Sequence, residues 1–221
     1  MKTLIKLIAV SVSLTAVSAC TSAAQNNAQP STADLSAAQQ PFIADISPTN
    51  AEAIIAGGCF WCVESDFEKV PGVKEVISGY SGGTLDLPTY KQVGKGNTGH
   101  IEVAKIIYDP TQVTYRQLID RYWMTVDPTD AGGQFCDRGE PYETAIFATP
   151  EQRADAESSK AALVKSGKLK NPVVTPIRDA VTFYAAEDYH QNYYKKKPVR
   201  YKYYRNACRR DQKLAALWGE K

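Results

Sequence analysis

Residues 53–64 have the sequence AIIAGGCFWCVE. The apolar run at its start is typical of a buried strand, and the glycine pair at 57–58 indicates a tight turn. Apolar residues then recur at helical spacing until a proline and a glycine end the segment at 71–72. The sequence therefore predicts a strand, a turn and a helix, with Cys59 where the helix begins.

Strand and helix patterns alternate along the rest of the chain. The sequence predicts strands over 73–78, 101–108, 144–148, 173–177 and 180–184, and helices over 114–124 and 150–166. Residues 127–142 contain three glycines beside polar groups and are predicted to form a long functional loop. Strands interleaved with helices, several covered on one face only, predict an α+β fold: a two-layer sandwich with a ferredoxin-like core and long functional loops.

The first residues have the composition of an export signal. Two lysines precede an apolar stretch over 7–17, and small residues lead to Cys20. This junction resembles the bacterial lipoprotein box, in which the cysteine is acylated; a plain cleaved signal is the alternative. We predict a lipoprotein-type signal over 1–19, a flexible tether over 20–50 and one catalytic domain over 51–221, whose C-terminal segment is 195–221. The expected location is the bacterial cell envelope, with the protein lipid-anchored, facing the periplasm and favouring the outer membrane.

Charge and histidine content exclude several classes of partner. The chain has 26 basic and 24 acidic side chains, so no field for nucleic acid is implied. Its histidines, His100 and His190, stand without thiolate spacing and make a poor metal site. We therefore expect neither a metal nor another cofactor, no nucleic-acid partner, and a monomer that contacts the membrane through its lipid anchor.

Cysteine spacing indicates thiol chemistry. A Cys59 thiolate at a helix start faces unpaired N–H groups and the positive end of the helix dipole, which predicts a lowered pKa and a nucleophilic sulfur. Four cysteines remain after Cys20, and in an exported protein two structural disulfides are the competing interpretation. A domain of this size has its own core and does not require them. We interpret Cys136 as a small residue beside the pocket.

An ordered series of motifs resembles the A-type peptide methionine sulfoxide reductases. A series covering roughly 53–194 is far more specific than any one motif. The matching blocks are Gly58-Cys59-Phe60-Trp61 with Glu64, Gly79-Tyr80-Ser81-Gly82-Gly83, Pro88-Thr89-Tyr90, Gly99-His100-Ile101-Glu102, Tyr108-Asp109-Pro110, Asp127-Pro128, Asp137-Arg138-Gly139 with Tyr142, and Ala186-Glu187-Asp188-Tyr189-His190-Gln191.

The resemblance implies a role for each matching residue. Cys59 would attack the sulfur of a methionine S-sulfoxide, and Phe60 and Trp61 would line a pocket for its methyl group. The sulfoxide oxygen would be surrounded by Tyr90, Glu102, Asp137 and Tyr142, with Glu102 as the proton donor. A sulfoxide becomes electrophilic only when its oxygen is protonated or strongly hydrogen-bonded, which explains the need for a neutral carboxyl and phenols.

Attack by Cys59 would leave a sulfenic acid, which a second thiol can convert to a disulfide. Cys208 lies where the resolving cysteines of this family usually reside, after residues 201–207, which we interpret as flexible. Cys62 lies one helical turn from Cys59 and is the second candidate. The resemblance also implies oxidised proteins or free methionine sulfoxide as substrates and a thioredoxin-like reductant.

Two other functions are compatible with parts of the sequence. Cys59-x-x-Cys62 at a helix start, with Val174-Thr175-Pro176, favours a thioredoxin-like thiol-disulfide oxidoreductase, although that proline lies unusually far along the chain. A non-enzymatic envelope lipoprotein would need no special thiol. The first alternative is distinguished from a reductase by comparing the reduction of insulin disulfides with the reduction of methionine sulfoxide. The second is distinguished by a sulfenic-acid probe after one turnover, because a non-enzymatic lipoprotein would give no signal at Cys59.

Overall fold

The structure is a computed structural model that describes residues 49–219. The predicted signal, Cys20 and nearly all of the predicted tether lie outside the described residues, and the domain boundaries stay predictions. Within the described part of the chain, no helix has the length and apolar character that a membrane span requires.

A six-stranded sheet forms the centre of the domain, and a separate two-stranded hairpin lies in the predicted functional loop. The strands are β1 (Ala51–Gly57), β2 (Val73–Ser81), β3 (Ile101–Tyr108), β4 (Gly133–Gln134), β5 (Asp137–Arg138), β6 (Thr144–Ala148), β7 (Ile177–Asp179) and β8 (Tyr184–Ala185). The order across the large sheet is β7-β6-β1-β3-β2-β8, while β4 pairs with β5. Neighbouring strands are antiparallel except β6 and β7, which are parallel.

Seven helices connect and cover these strands in the described residues. They are α1 (Phe60–Phe67), α2 (Tyr90–Val93), α3 (Tyr115–Trp123), α4 (Pro150–Lys165), α5 (Tyr193–Lys196), α6 (Pro198–Ala207) and α7 (Arg210–Trp218), with a 3-10 turn at Glu140–Tyr142. The start of α4 shows how the sequence sets its helices, since Thr149 and Gln152 form a capping box and Pro150 is the first helical residue.

The main core lies between the sheet and helices α1, α3 and α4. On β1, Ala53 and Ile55 face this core, whereas Ala56 packs on the opposite face against Phe147. This alternation follows from the two-residue period of a strand, which exposes successive side chains to opposite faces. The predicted α+β fold with long functional loops is confirmed.

Two regions differ from the sequence-based expectation. The strands predicted over 173–177 and 180–184 are shorter and lie later in the chain, because β7 begins only at Ile177, after Pro176, and a proline has no N–H for a strand ladder. The segment 201–207, which we interpreted as flexible, belongs to α6. Pro198 starts that helix, and Tyr201 is buried against the domain, so tertiary packing stabilises it.

The turn between β1 and α1 requires glycine at position 58. Gly58 has φ +76°, and a Cβ built there would lie 2.5 Å from Cβ of Gln134. Gln134 is itself held in place, because its side chain exchanges hydrogen bonds with the backbone N–H and carbonyl of Asp127, both at 2.8 Å. The functional loop therefore packs directly against the turn that precedes Cys59.

Gly58→Ala should destabilise the domain by roughly 2–5 kcal/mol, the sum of a left-handed backbone at a residue with a Cβ and the overlap with Gln134. Gly167→Ala is the matched control, because Gly167 has φ +63° but no atom within 4 Å of its added Cβ, so it should lose only about 1 kcal/mol. Urea unfolding measures both changes. Equal losses in the two variants would show that the loop does not pack on the turn as described.

Candidate active site

Cys59 occupies the N-cap position of α1, immediately after the turn that ends β1. Its carbonyl oxygen accepts hydrogen bonds from the N–H groups of Cys62 and Val63, at 3.0 and 3.4 Å. The two cysteines therefore lie one helical turn apart, and their thiols are hydrogen-bonded to each other. Both are buried, with 5% of Cys59 and 2% of Cys62 exposed, and neither forms a disulfide.

The charge distribution in this pair differs from the sequence-based expectation. Burial raises the pKa of Cys59, and the N–H of Phe60, which was expected to face the sulfur, donates instead to Oε2 of Glu102 at 2.9 Å. The hydrogen bond from Cys59 lowers the pKa of Cys62 to about 7, aided by the guanidiniums of Arg210 and Arg205. In the resting site the negative charge of the pair is therefore favoured on Cys62.

Glu102 lies on β3 and faces the start of α1. Only 3% of it is exposed, and burial raises the pKa of its carboxyl well above the ordinary range, with the charge of Asp137 acting in the same direction. These influences favour the neutral carboxyl, which is the form a proton donor needs. Glu102 therefore lies beside the start of α1 with its neutral form favoured.

Aromatic rings cluster beside the two cysteines. The ring centre of Phe60 lies 6.2 Å from that of Trp61 and 6.4 Å from that of Tyr90. The hydroxyls of Tyr90 and Tyr142 are hydrogen-bonded to each other, and both phenols are affected by the charges of Glu102 and Asp137. The structure therefore brings the residues expected around the sulfoxide into one site.

Two residues of the block at 186–191 hold these rings in place. The carboxylate of Glu187 accepts hydrogen bonds from the N–H of Tyr90 and the hydroxyl of Tyr80, both at 2.9 Å. Burial lowers the pKa of His190 to about 4, so its neutral ring accepts the indole N–H of Trp61 at 3.1 Å. His190 is thus a hydrogen-bonding residue of the pocket.

His100 lies apart from the pocket and orders the glycine loop after β2. Its Nδ1 accepts the N–H of Gly83 at 3.2 Å, and its Nε2 lies 2.8 Å from the carbonyl oxygen of Leu85. His100 is therefore a structural residue of this loop.

The C-terminal helices contribute residues that the sequence analysis did not identify. The hydroxyl of Tyr204, on α6, donates to the carboxylate of Asp137 and lies within hydrogen-bonding reach of the Cys59 sulfur. Tyr193 stacks on Trp61 with 3.8 Å between ring centres. A run of tyrosines among basic residues over 193–204 was the available signal.

Cys136 and Cys208 form a disulfide across 72 residues of sequence, with their Cα atoms 5.1 Å apart. Cys136, which we interpret from the sequence as a small residue beside the pocket, is thus bonded to the C-terminal segment, which returns to the functional loop. Cys208, our first candidate for the resolving thiol, presents no free thiol to Cys59 in this structure. The carboxylate of Asp137 and the two sulfurs lie within 4.8 Å of one another, but the S–S bond removes both sulfurs as metal ligands.

Comparison with known proteins identifies the family. The family model described as "Peptide methionine sulfoxide reductase" matches residues 51–221. Peptide methionine sulfoxide reductase MsrA 2 of Rhizobium meliloti is 51% identical over 170 residues, which cover 76% of this chain and 84% of that protein. Peptide methionine sulfoxide reductase MsrA of Halalkalibacterium halodurans is 52% identical over 169 residues, covering 76% of this chain and 96% of that protein.

Solved structures agree with the sequence comparison. Methionine sulfoxide reductase A of Corynebacterium diphtheriae matches with a TM-score of 0.61 and 32% identity, over 69% of this chain and 77% of that chain. Reduced Mxr1 from Saccharomyces cerevisiae matches with a TM-score of 0.63 and 30% identity, over 69% of this chain and 89% of that chain. These comparisons support neither the thioredoxin-like exchanger nor the non-enzymatic lipoprotein. By family model, sequence and fold, this chain belongs to the peptide methionine sulfoxide reductases of the A type, a family of oxidoreductases.

Proposed function

We propose that Cys59 of this reductase removes the oxygen from methionine S-sulfoxide, free or in proteins, and that Cys62 resolves the product. One observation carries the proposal: two hydrogen-bonded thiols and a buried carboxyl meet at the start of α1. Cys59 attacks the sulfoxide in the first step, and Cys62 attacks the resulting sulfenic acid in the second. The carboxyl of Glu102 supplies the proton that the sulfoxide oxygen needs in the first step.

In the first step Cys59, as the thiolate, attacks the sulfoxide sulfur while Glu102 gives a proton to the sulfoxide oxygen. Attack joins the two sulfurs. That S–S bond and the substrate S–O bond then break as the protonated oxygen forms an S–O bond with Cys59, and methionine leaves. In net terms one sulfoxide and one thiol become one thioether and one sulfenic acid, so the substrate is reduced and Cys59 is oxidised by two electrons.

The hydrogen bond between the thiols allows the negative charge to pass from one sulfur to the other. A proton shift from Cys59 to Cys62 along that bond makes Cys59 the thiolate for the first step. After Cys59 is oxidised, Cys62 again carries the negative charge as its own proton is lost, which suits it to attack the sulfenic sulfur. The disulfide forms and hydroxide leaves as water once it has received that proton.

Cys62 is favoured over Cys208 as the first resolving thiol by proximity. Cys62 is already hydrogen-bonded to Cys59, whereas Cys208 is joined to Cys136 and would need reduction and rearrangement before it could react. A thioredoxin-like dithiol is the proposed reductant of the Cys59–Cys62 disulfide. Because both cysteines are buried, that step requires the C-terminal helices over the site to move.

The proposed anchor is an acyl group on Cys20. Support comes from the sequence alone, where an export signal ends in the lipoprotein-type run Val17-Ser18-Ala19-Cys20. Such an anchor would hold the reductase at the cell envelope, facing the periplasm, and the residue after Cys20 is not the aspartate often associated with inner-membrane retention. The outer membrane is therefore the proposed site.

Cysteine variants test the order of steps. Cys59→Ser should form no methionine, whereas Cys62→Ser should form about one equivalent and then stop with a sulfenic acid on Cys59. Cys208→Ser should continue to turn over with a dithiol protein reductant. Methionine formed per enzyme, with peptide mapping of the oxidised cysteine, measures all three. Continued cycling by Cys62→Ser and arrest of Cys208→Ser would restore Cys208 as the resolving thiol.

Glu102→Gln tests the proton donor, because an amide can occupy the site but cannot deliver a proton. The single-turnover rate should fall by about 10²–10⁴-fold. The wild-type rate should decrease as pH rises through the raised pKa of Glu102, since the protonated carboxyl is lost there, and this decrease should be absent in Glu102→Gln. Glu75→Gln, on neighbouring β2, is the control and should keep the wild-type profile. An unchanged single-turnover rate in Glu102→Gln would remove Glu102 from this role.

The anchor is tested by the intact mass of the protein purified from its membrane fraction. The mature chain should begin at Cys20 and carry the mass of its acyl groups, and Cys20→Ala should move the protein to the soluble fraction. A mature chain that begins elsewhere, without added mass, would rule out the lipoprotein proposal and leave the catalytic proposal unaffected.

A further inference from the structure

Arg210 is a buried cation for which the described residues provide no carboxylate partner. It is the first residue of α7, and only 2% of it is exposed. Its Nη1 and Nη2 each lie 3.2 Å from the carbonyl oxygen of Gly57, and Nη2 donates to that of Thr125 at 2.7 Å. The guanidinium also packs on the ring of Phe135, 4.7 Å from its centre, while its Nε has no hydrogen-bond partner.

Arg205, on the preceding helix, shows what a fully paired arginine looks like in the same region. It forms ion pairs with Asp66 at 3.0 Å and with Asp211 at 2.6 Å. Burying a charge is costly unless an opposite charge compensates it. Neutral carbonyl oxygens and a ring face offset only part of the free-energy cost of burying the charge of Arg210. A nearby anion would compensate the rest.

The thiol pair is one candidate for that anion. The carbonyl that binds both terminal nitrogens of Arg210 belongs to Gly57, two residues before Cys59, and the positive charge of the guanidinium helps to lower the pKa of Cys62. Asp137 also feels this cation, but no ion pair joins them, and its carboxylate is already hydrogen-bonded to Tyr204. A thiolate on the Cys59–Cys62 pair therefore fits the requirement better.

We propose that Arg210 is a positioning residue for the reductase, and that its guanidinium holds the negative charge of the buried thiol pair so that Cys62 is ready to resolve the sulfenic acid. The inference rests on the proposed function and adds a residue to it. The C-terminal helix α7 would thus supply the cation that a site at the start of α1 lacks.

The fold secures Arg210 at both ends of its helix. Cys208, two residues earlier, is joined to Cys136, and Trp218 at the end of α7 donates its indole N–H to the carbonyl of Val126 at 3.1 Å. The thiolate is affected by other groups from every neighbouring element, so Arg210 must be tested against them. The ionisable side chains that act on or with Cys62 are Cys59, Asp66, Glu102, Tyr201, Tyr204, Arg205 and Arg210.

The test removes the charge in two ways and measures thiolate formation directly. Arg210→Met removes the charge and the hydrogen-bond donors, whereas Arg210→Gln removes the charge but keeps an amide donor for the carbonyls. If one variant fails to fold, the other still tests the proposal. The ultraviolet absorbance of the thiolate is measured against pH in each full-length protein and in the same protein carrying Cys62→Ser. The difference between the two curves reports thiolate formation in the Cys59–Cys62 pair. The rate of disulfide formation after one turnover is measured across the same pH range.

In each folded neutral variant, the midpoint of thiolate formation in the Cys59–Cys62 pair should lie at least one pH unit above that of the wild type. Its disulfide formation at pH 7 should be roughly tenfold slower, because the attacking species is the thiolate. Arg210→Lys keeps the charge and should recover more than half of both effects. Arg209→Gln is the matched control: the same helix start loses an exposed charge, and neither readout should change.

An unchanged titration midpoint in a folded neutral variant would overturn the role of Arg210, even if its stability fell. This failure is distinguishable from failure of the proposed function. In the first case the wild type still forms the Cys59–Cys62 disulfide on turnover, whereas in the second no such disulfide forms in the wild type, whatever the thiol titration shows.

Discussion

The site depends on one local constraint, the turn at Gly58 between β1 and α1. This turn ends a strand in the centre of the sheet and starts a helix at once, so Cys59 must lie where the backbone N–H groups of the new helix are unpaired. Glu102, on the neighbouring strand, takes the first of those N–H groups. The strand end itself is held by Tyr122, whose hydroxyl donates to the carbonyl of Ala56 at 2.8 Å. Nucleophile and proton donor are thus positioned by the sheet.

Burial gives this site its reactivity and creates its main difficulty. It keeps the carboxyl of Glu102 neutral, yet it also disfavours the thiolate that the chemistry needs. The structure offsets this in two ways, by letting a second thiol share the charge and by bringing Arg210 and Tyr204 from the C-terminal helices. The same helices cover the site, so a protein reductant can reach the buried pair only after they move.

Local features were predictable from the sequence, and long-range ones were not. The strand, turn and helix around Cys59 follow from apolar spacing and paired glycines, and the strands at 101–108 and 144–148 were predicted at their observed bounds. The Cys136–Cys208 bond joins residues 72 apart, and no spacing rule reveals such a pairing. Helix α6 is polar over most of its surface and is stabilised by contacts with the domain, so its pattern resembled a flexible segment.

The central claim is that the oxygen of the substrate moves to Cys59. It is tested most directly by one turnover of the Cys62→Ser protein with methionine S-sulfoxide whose oxygen is ¹⁸O, followed by acid quenching and mass analysis of the peptide that contains Cys59. The account predicts one heavy oxygen on Cys59 for each methionine formed. Methionine formed without heavy oxygen on that peptide would contradict it.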